Sequence, residues 1–251
     1  ETTRAFERWP DEVRGIDEVM DLPRVLDGST RLHGVIQASL DDRRVVAGHG
    51  SPPLDVLDGW IAAGIMSSHS PRVAEALTML RKGVHLQLQT QRTVELIRQF
   101  LELPLRDWRN IGLAVDDRTA ADLLDRGGMD HEVRTAISLG VPAITAYQLA
   151  TINNAAHWQL SHLHGLLAPG RYADVLIVSD LEKVIIDRVY ANGRLVAEKG
   201  RLTAPLDAGL FSSDTRMPGQ PRCHARWSGS QSFSSAGASE ERRAFQSLWP
   251  D

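Results

Sequence analysis

The sequence predicts an α/β chain in which βα units build a parallel sheet and a small antiparallel element follows. Short apolar runs of strand length alternate with longer segments of helical period. At Pro169 the character changes to β-rich segments, and the pair Asn192-Gly193 between two of them is the signature of a type I′ hairpin turn.

In chain order, the strand candidates are Arg14–Met20 (RGIDEVM), Arg44–His49 (RVVAGH), a third carried by Ile61–His69 (IAAGIMSSH), Gly83–Leu88 (GVHLQL) and Ile111–Val115 (IGLAV). Between them Arg72–Arg81 repeats Val73, Ala76, Leu77 and Leu80 at the spacing of one helix face, which predicts a helix packed outside the sheet. Asp130–Leu139 and Ile144–Ala150 repeat that pattern. Gly140-Val141-Pro142 between them supplies a helix stop and a restart. Ala173–Val178, Val184–Ala191 and Arg194–Ala197 make up the antiparallel element. Beyond about Asp207 the chain turns rich in Ser, Gly, Arg and Pro without sustained period, so weak order is expected there.

Composition narrows the function classes. With 251 residues, 42% of them hydrophobic, the chain can bury a substantial core. A formal charge of -4 and no basic run argue against a surface that tracks phosphates. Cys223 is the only cysteine, which excludes an internal disulfide or a thiolate metal cluster and favours a reducing compartment, the cytoplasm. The chain opens at Glu1 without the pattern of a signal peptide or a membrane span, and we read that start as a cut end.

Four residues fall at strand ends: Glu18 in the first strand, His49 after the second, His69 after the third and Asp116 after the fifth. In a βα barrel the strand C-termini meet at one face, so side chains far apart in sequence converge there. Imidazole and carboxylate donors together suit borderline divalent ions, which lower the pKa of a water toward neutrality. A neighbouring carboxylate such as Asp116 can then move the proton. Each residue also has an ordinary reading. Most of the nine histidines must be surface or packing residues, and Asp116-Asp117 equally suits an N-cap pair for a helix beginning near Thr119.

The wording at these places resembles the adenine deaminases of the amidohydrolase superfamily. Asp17-Glu18-Val19-Met20-Asp21-Leu22-Pro23 is similar to that family's "GEVMNFPGV", Gly48-His49 to "DGHAP", Ser68-His69 to "SDHE", and Val115-Asp116-Asp117-Arg118 to "TDDR". Further on, Arg134–Val141 resembles "RKAIELGV", Ala150–Ala155 resembles "ATINPAEHFGL", and Ala168–Asp174 is similar to "APGRYAD". The resemblance runs from about Ile16 to Gly200. It implies a partial (β/α)8 TIM-type amidohydrolase barrel over 1–165, a small β-sandwich segment over 166–208 and a poorly ordered tail over 209–251. It also implies two divalent ions, manganese or iron with zinc as an alternative, held by Glu18 as bridge and by His49, His69 and Asp116. Asp116 would be ligand and proton shuttle, and Ser70 and Asp117 substrate contacts. The implied reaction converts adenine and water to hypoxanthine and ammonia, and the resemblance suggests a homo-oligomer, while composition points to the cytoplasm and to neither nucleic acid nor membrane as partner.

Three departures leave other readings open. The superfamily's His-x-His pair has one literal match, His162-Leu163-His164, which we read as a loop feature, the genuine pair being expected before Glu1. "SDHE" reads Ser67-Ser68-His69-Ser70 here, with hydroxyls for two carboxylates. Arg222–Asp251 reads as sequence under no folding constraint, with Trp227, Phe233, Phe245 and Trp249 as exposed apolar residues. The alternatives are a catalytically dead remnant serving as a binding or assembly module, and another cyclic-amide or amine hydrolase of the superfamily.

Overall fold

The computed structural model describes residues 2–103 and 105–204. The expectations for 209–251, including the four aromatic residues named above, lie outside the described residues. Within them five strands, β1 (Gly15–Val19), β2 (Val45–His49), β3 (Ser67–His69), β4 (His85–Gln89) and β5 (Ile111–Ala114), form one parallel sheet in sequence order. Ten helices surround and follow them: α1 (Thr2–Arg8), α2 (Leu22–Leu26), α3 (Thr30–Asp41), α4 (Leu57–Ala62), α5 (Val73–Arg81), α6 (Thr90–Glu102), α7 (Ala120–Arg126), α8 (Met129–Ser138), α9 (Ala143–Ala150) and α10 (Ile152–His157). A second sheet of β6 (Val175–Asp180), β7 (Ile185–Ala191), β8 (Arg194–Glu198) and β9 (Arg201–Leu202) is antiparallel. The α/β architecture and the antiparallel element are those read from the sequence. None of the described helices is long and apolar enough to cross a membrane.

The alternation of side chains along each strand separates core from site. On β4, Leu86 and Leu88 are fully buried in the apolar cluster with Leu96, Ile97 and Phe100 of α6. His85, Gln87 and Gln89 occupy the opposite face. Gly48 lets the core reach the end of β2: a Cβ there would stand 2.3 Å from the Trp60 ring and 2.7 Å from Ile65.

One expectation is narrowed and one is corrected. The third strand is only Ser67–His69, because Ile61 and Ala62 close α4, where Trp60 is buried; a short apolar run alone does not separate a strand from a buried helix. Asp116 and Asp117 are not the cap of α7. Thr119 is, its hydroxyl accepting from Asp122 N–H at 3.1 Å while the Asp122 carboxylate reaches back to the Thr119 N–H. The hairpin turn is as expected, with Asn192 and Gly193 at φ 50° and 74°. β5 ends the row of parallel strands, and α10 meets its backbone: Asn153 donates to the Ile111 carbonyl and Asn154 to the Leu113 carbonyl, each at 2.8 Å.

Candidate active site

Strand pairing brings the histidines together. His49 and His69 are register partners on β2 and β3, and the N–H of Gly50 donates to the His69 carbonyl at 2.9 Å. Ser68 adds a bond from its hydroxyl to the Gly50 carbonyl, so this serine ties the two strand ends together. Neighbouring parallel strands are about 4.8 Å apart, so partners on one face meet at their tips.

Glu18 arrives by a different device. Between the pairs Ile16–Val46 and Val19–Gly48, β1 carries one residue more than β2, and Glu18 sits inside that bulge at φ 57°. An extra residue bends a strand and re-aims a side chain. Its carboxylate consequently faces both imidazoles: Oε1 lies 3.1 Å from His69 Nε2 and Oε2 lies 3.6 Å from His49 Nδ1. Ser70 and Asp117 share the left-handed conformation at φ 52° and 40°, so the chain turns sharply as it leaves β3 and β5.

The three groups fit a cation. His49 Nδ1 and His69 Nε2 stand 2.7 Å apart with ring centroids 4.5 Å apart and edge to face. The His69 nitrogen meets a second acceptor, Glu18 Oε1, at 3.1 Å, and a single ring N–H cannot serve both well. One ligand atom from each of Glu18, His49 and His69 lies within 4.8 Å of the others. Two imidazoles and a carboxylate converging in this way match the donor set of a borderline divalent ion.

Among the described residues the compact cluster comprises those three. Asp116 lies outside it but lines the same cleft, about 1000 Å³ in volume, as do Ser70 and Asp117. The Asp116 carboxylate accepts the Asp117 N–H at 2.8 Å. All six residues singled out in the sequence thus face one hollow. His162-Leu163-His164 lies elsewhere, in a turn, where His164 Nδ1 is 3.3 Å from an Asp174 carboxylate oxygen and its ring meets Tyr172.

Sequence reading missed the far wall of the cleft, formed by Gln89, Arg92, Arg118, His131 and Glu132 among others. Arg118 and Glu132 form a buried ion pair, and Arg118 also donates to the Gly127 carbonyl at 3.0 Å. Burial pushes the Glu132 carboxyl up, and the Arg118 charge opposes it. Burial lowers the His131 pKa, helped by the charges of Arg118 and Arg134. The fourteen-residue separation between Arg118 and Glu132 carries no local signal. The "TDDR" wording placed Arg118 beside the site without indicating its partner.

Comparison with known proteins adds kinship to this geometry. The chain is 40% identical over 201 residues to "Adenine deaminase 2" of Jannaschia sp. (strain CCS1), covering 77% of this chain and 32% of that protein. It is 36% identical over 222 residues to "Adenine deaminase" of Moorella thermoacetica, covering 86% and 37%. The chain therefore spans about a third of the length of these curated relatives. Among solved structures, a β-aspartyl dipeptidase from Fervidobacterium islandicum AW-1 superposes with a TM-score of 0.59 at 15% identity, over 78% of this chain and 60% of that one. An adenosine deaminase from Xanthomonas campestris with bound zinc gives 0.55 at 13% identity, over 84% and 58%; at such identities the likeness speaks for fold alone. The Amidohydrolase family matches residues 14–196, across every strand that brings a residue to the cleft, and this chain belongs to that family.

Proposed function

We propose that this chain carries out, or contributes the metal-binding half of, the hydrolytic deamination of adenine to hypoxanthine and ammonia. The observation that carries the reading is the convergence of Glu18, His49 and His69, with Asp116 on the wall of the same cleft. The relatives named adenine deaminase supply the substrate. Glu18, His49 and His69 would hold a divalent ion, the two Glu18 oxygens each facing a different imidazole, and the family resemblance leads us to expect two such ions. Manganese or iron is the expected metal, with zinc as the alternative, because nitrogen and oxygen donors without thiolate suit all three. When bound, such an ion lowers the pKa of a water toward neutrality and so furnishes a nucleophile at ordinary pH.

The rest is done by the chain. Asp116 accepts a proton from the attacking water and returns it to the exocyclic amine, which leaves as ammonia. The N–H bond from Asp117 holds one Asp116 oxygen in place, leaving the other for the proton. Ser70 and Asp117 border the space where the purine ring would lie. A neutral purine, no nucleic acid and a homo-oligomer in the cytoplasm complete the reading, with the single Cys223 supporting a reducing compartment.

A second reading is favoured by Ser68 and Ser70, which stand where the family wording has carboxylates. Ser68 is committed to the Gly50 carbonyl, and neither hydroxyl shuttles protons near neutral pH. On this reading the chain binds metal and purine without turnover. Ammonia release from adenine, measured with manganese or iron and again after chelation, tests the proposal. Metal-dependent ammonia release that Asp116→Asn cuts at least about a hundredfold supports the deaminase. A chain that takes up metal and releases no ammonia supports the binding module.

A further inference from the structure

Gln89 is the last residue of β4, paired in register with Ala114 at the end of β5. Its side chain is buried, yet it lines the cleft with His69 and Ser70. The amide nitrogen donates to the Ser70 hydroxyl oxygen. The amide oxygen is enclosed with no donor from the protein in reach. An enclosed carbonyl oxygen without a partner is destabilising, and an apolar residue of similar length would avoid that cost at a position the core does not need to be polar. Ser70 itself is held at φ 52°, in the left-handed region that residues other than glycine seldom adopt.

The bond between them fixes directions. Because the Ser70 oxygen accepts from Gln89, its own proton is free to be given elsewhere. A hydroxyl donor and an amide acceptor then stand side by side, one residue from His69. That pair complements a ring nitrogen beside an N–H, the arrangement found along purine edges. Neither group carries charge, so the pair favours a neutral heterocycle. The last torsion of a glutamine is broad, so the amide has the freedom to present its oxygen to a ligand.

We propose that Gln89 and Ser70 form the recognition element for the heterocycle: the Ser70 hydroxyl donates to a ring nitrogen, and the Gln89 amide oxygen accepts from the neighbouring N–H. Gln89 is also the positioning residue that orients Ser70. The inference rests on the reading of this cleft as a purine site and deepens it by assigning the purine contacts.

Calorimetric titration of adenine into the manganese-loaded full chain tests it, with Ser70→Ala, Ser70→Asn, Gln89→Met and the Ser70→Ala/Gln89→Met double variant beside the wild type. Each of Ser70→Ala and Gln89→Met weakens adenine binding about tenfold, and the double variant does little worse than either because the two act as a unit. Ser70→Asn, which keeps a hydrogen-bond donor and tolerates the left-handed backbone, loses less affinity than Ser70→Ala, and manganese affinity is unchanged throughout. Adenine affinities of Ser70→Ala and Gln89→Met within about twofold of wild type would overturn the inference, as would a wild-type chain that takes up manganese but no adenine. Adenine bound through these two residues without ammonia release sustains the inference and refutes the deaminase reading alone.

Discussion

Two stacked histidines on β4 and α10 make the stability of this chain fall as the solution is acidified from pH 6 to pH 5. His85 and His157 lie face to face, with ring centroids 4.3 Å apart and planes within 1°. The Nε2 atoms of both are enclosed without a protein partner. Burial holds the His85 pKa down to about 3, with the charge of His157 adding to the effect, and burial holds His157 down to about 4. In the unfolded chain both titrate near about 6.5. The unfolded state therefore binds protons that the folded state refuses, and stability declines as pH falls from the unfolded pKa toward the folded ones. Linkage with these values gives a loss of about 1.2 kcal/mol per histidine between pH 6 and pH 5, or about 2 kcal/mol for the pair allowing for partial exposure of His157. Urea unfolding at the two pH values, at constant ionic strength, measures it directly. The variant His157→Phe keeps a ring on the stack and removes about half of the difference, and His85→Phe/His157→Phe removes most of it. A double variant that loses as much stability over this range as the wild type, within about 0.5 kcal/mol, would refute the reasoning.

Other consequences follow from particular contacts. Glu132→Ala strands the buried Arg118 guanidinium and costs about 3–5 kcal/mol in urea unfolding, whereas Arg118→Met/Glu132→Leu removes both charges and costs much less. Gly48→Ala drives a methyl into Trp60 and Ile65, which costs about 1–3 kcal/mol and, by shifting the neighbouring His49, weakens manganese binding measured by calorimetry. Asn154→Ala leaves the Leu113 carbonyl without its side-chain donor and lowers stability by about 1 kcal/mol in the same unfolding assay.

Much of the candidate site's geometry was legible because its residues sit at strand ends, where apolar runs stop and a polar side chain stands out. His49 and His69 follow such runs directly, and their meeting follows from register. Glu18 was legible as a residue, but the bulge that aims it was not, since nothing in RGIDEVM marks an extra residue. Where β3 begins within IAAGIMSSH was not legible, because IAAGIM is apolar whether it ends a helix or enters a strand. α6 left a readable signal in Val94, Ile97 and Leu101 at helical spacing. The Arg118–Glu132 pair and the Gln89–Ser70 bond had none, because each joins separate elements through tertiary packing.

Everything proposed for the cleft depends on Glu18, His49 and His69 grasping a divalent cation. Manganese titration of the full chain, followed by electron paramagnetic resonance of the free ion, measures this most directly. Saturable uptake by the wild type, weakened about a hundredfold or more by His69→Ala and by Glu18→Gln but not by His164→Ala, is the result the account predicts. Uptake that is equal in all four proteins, or absent from the wild type, would contradict it.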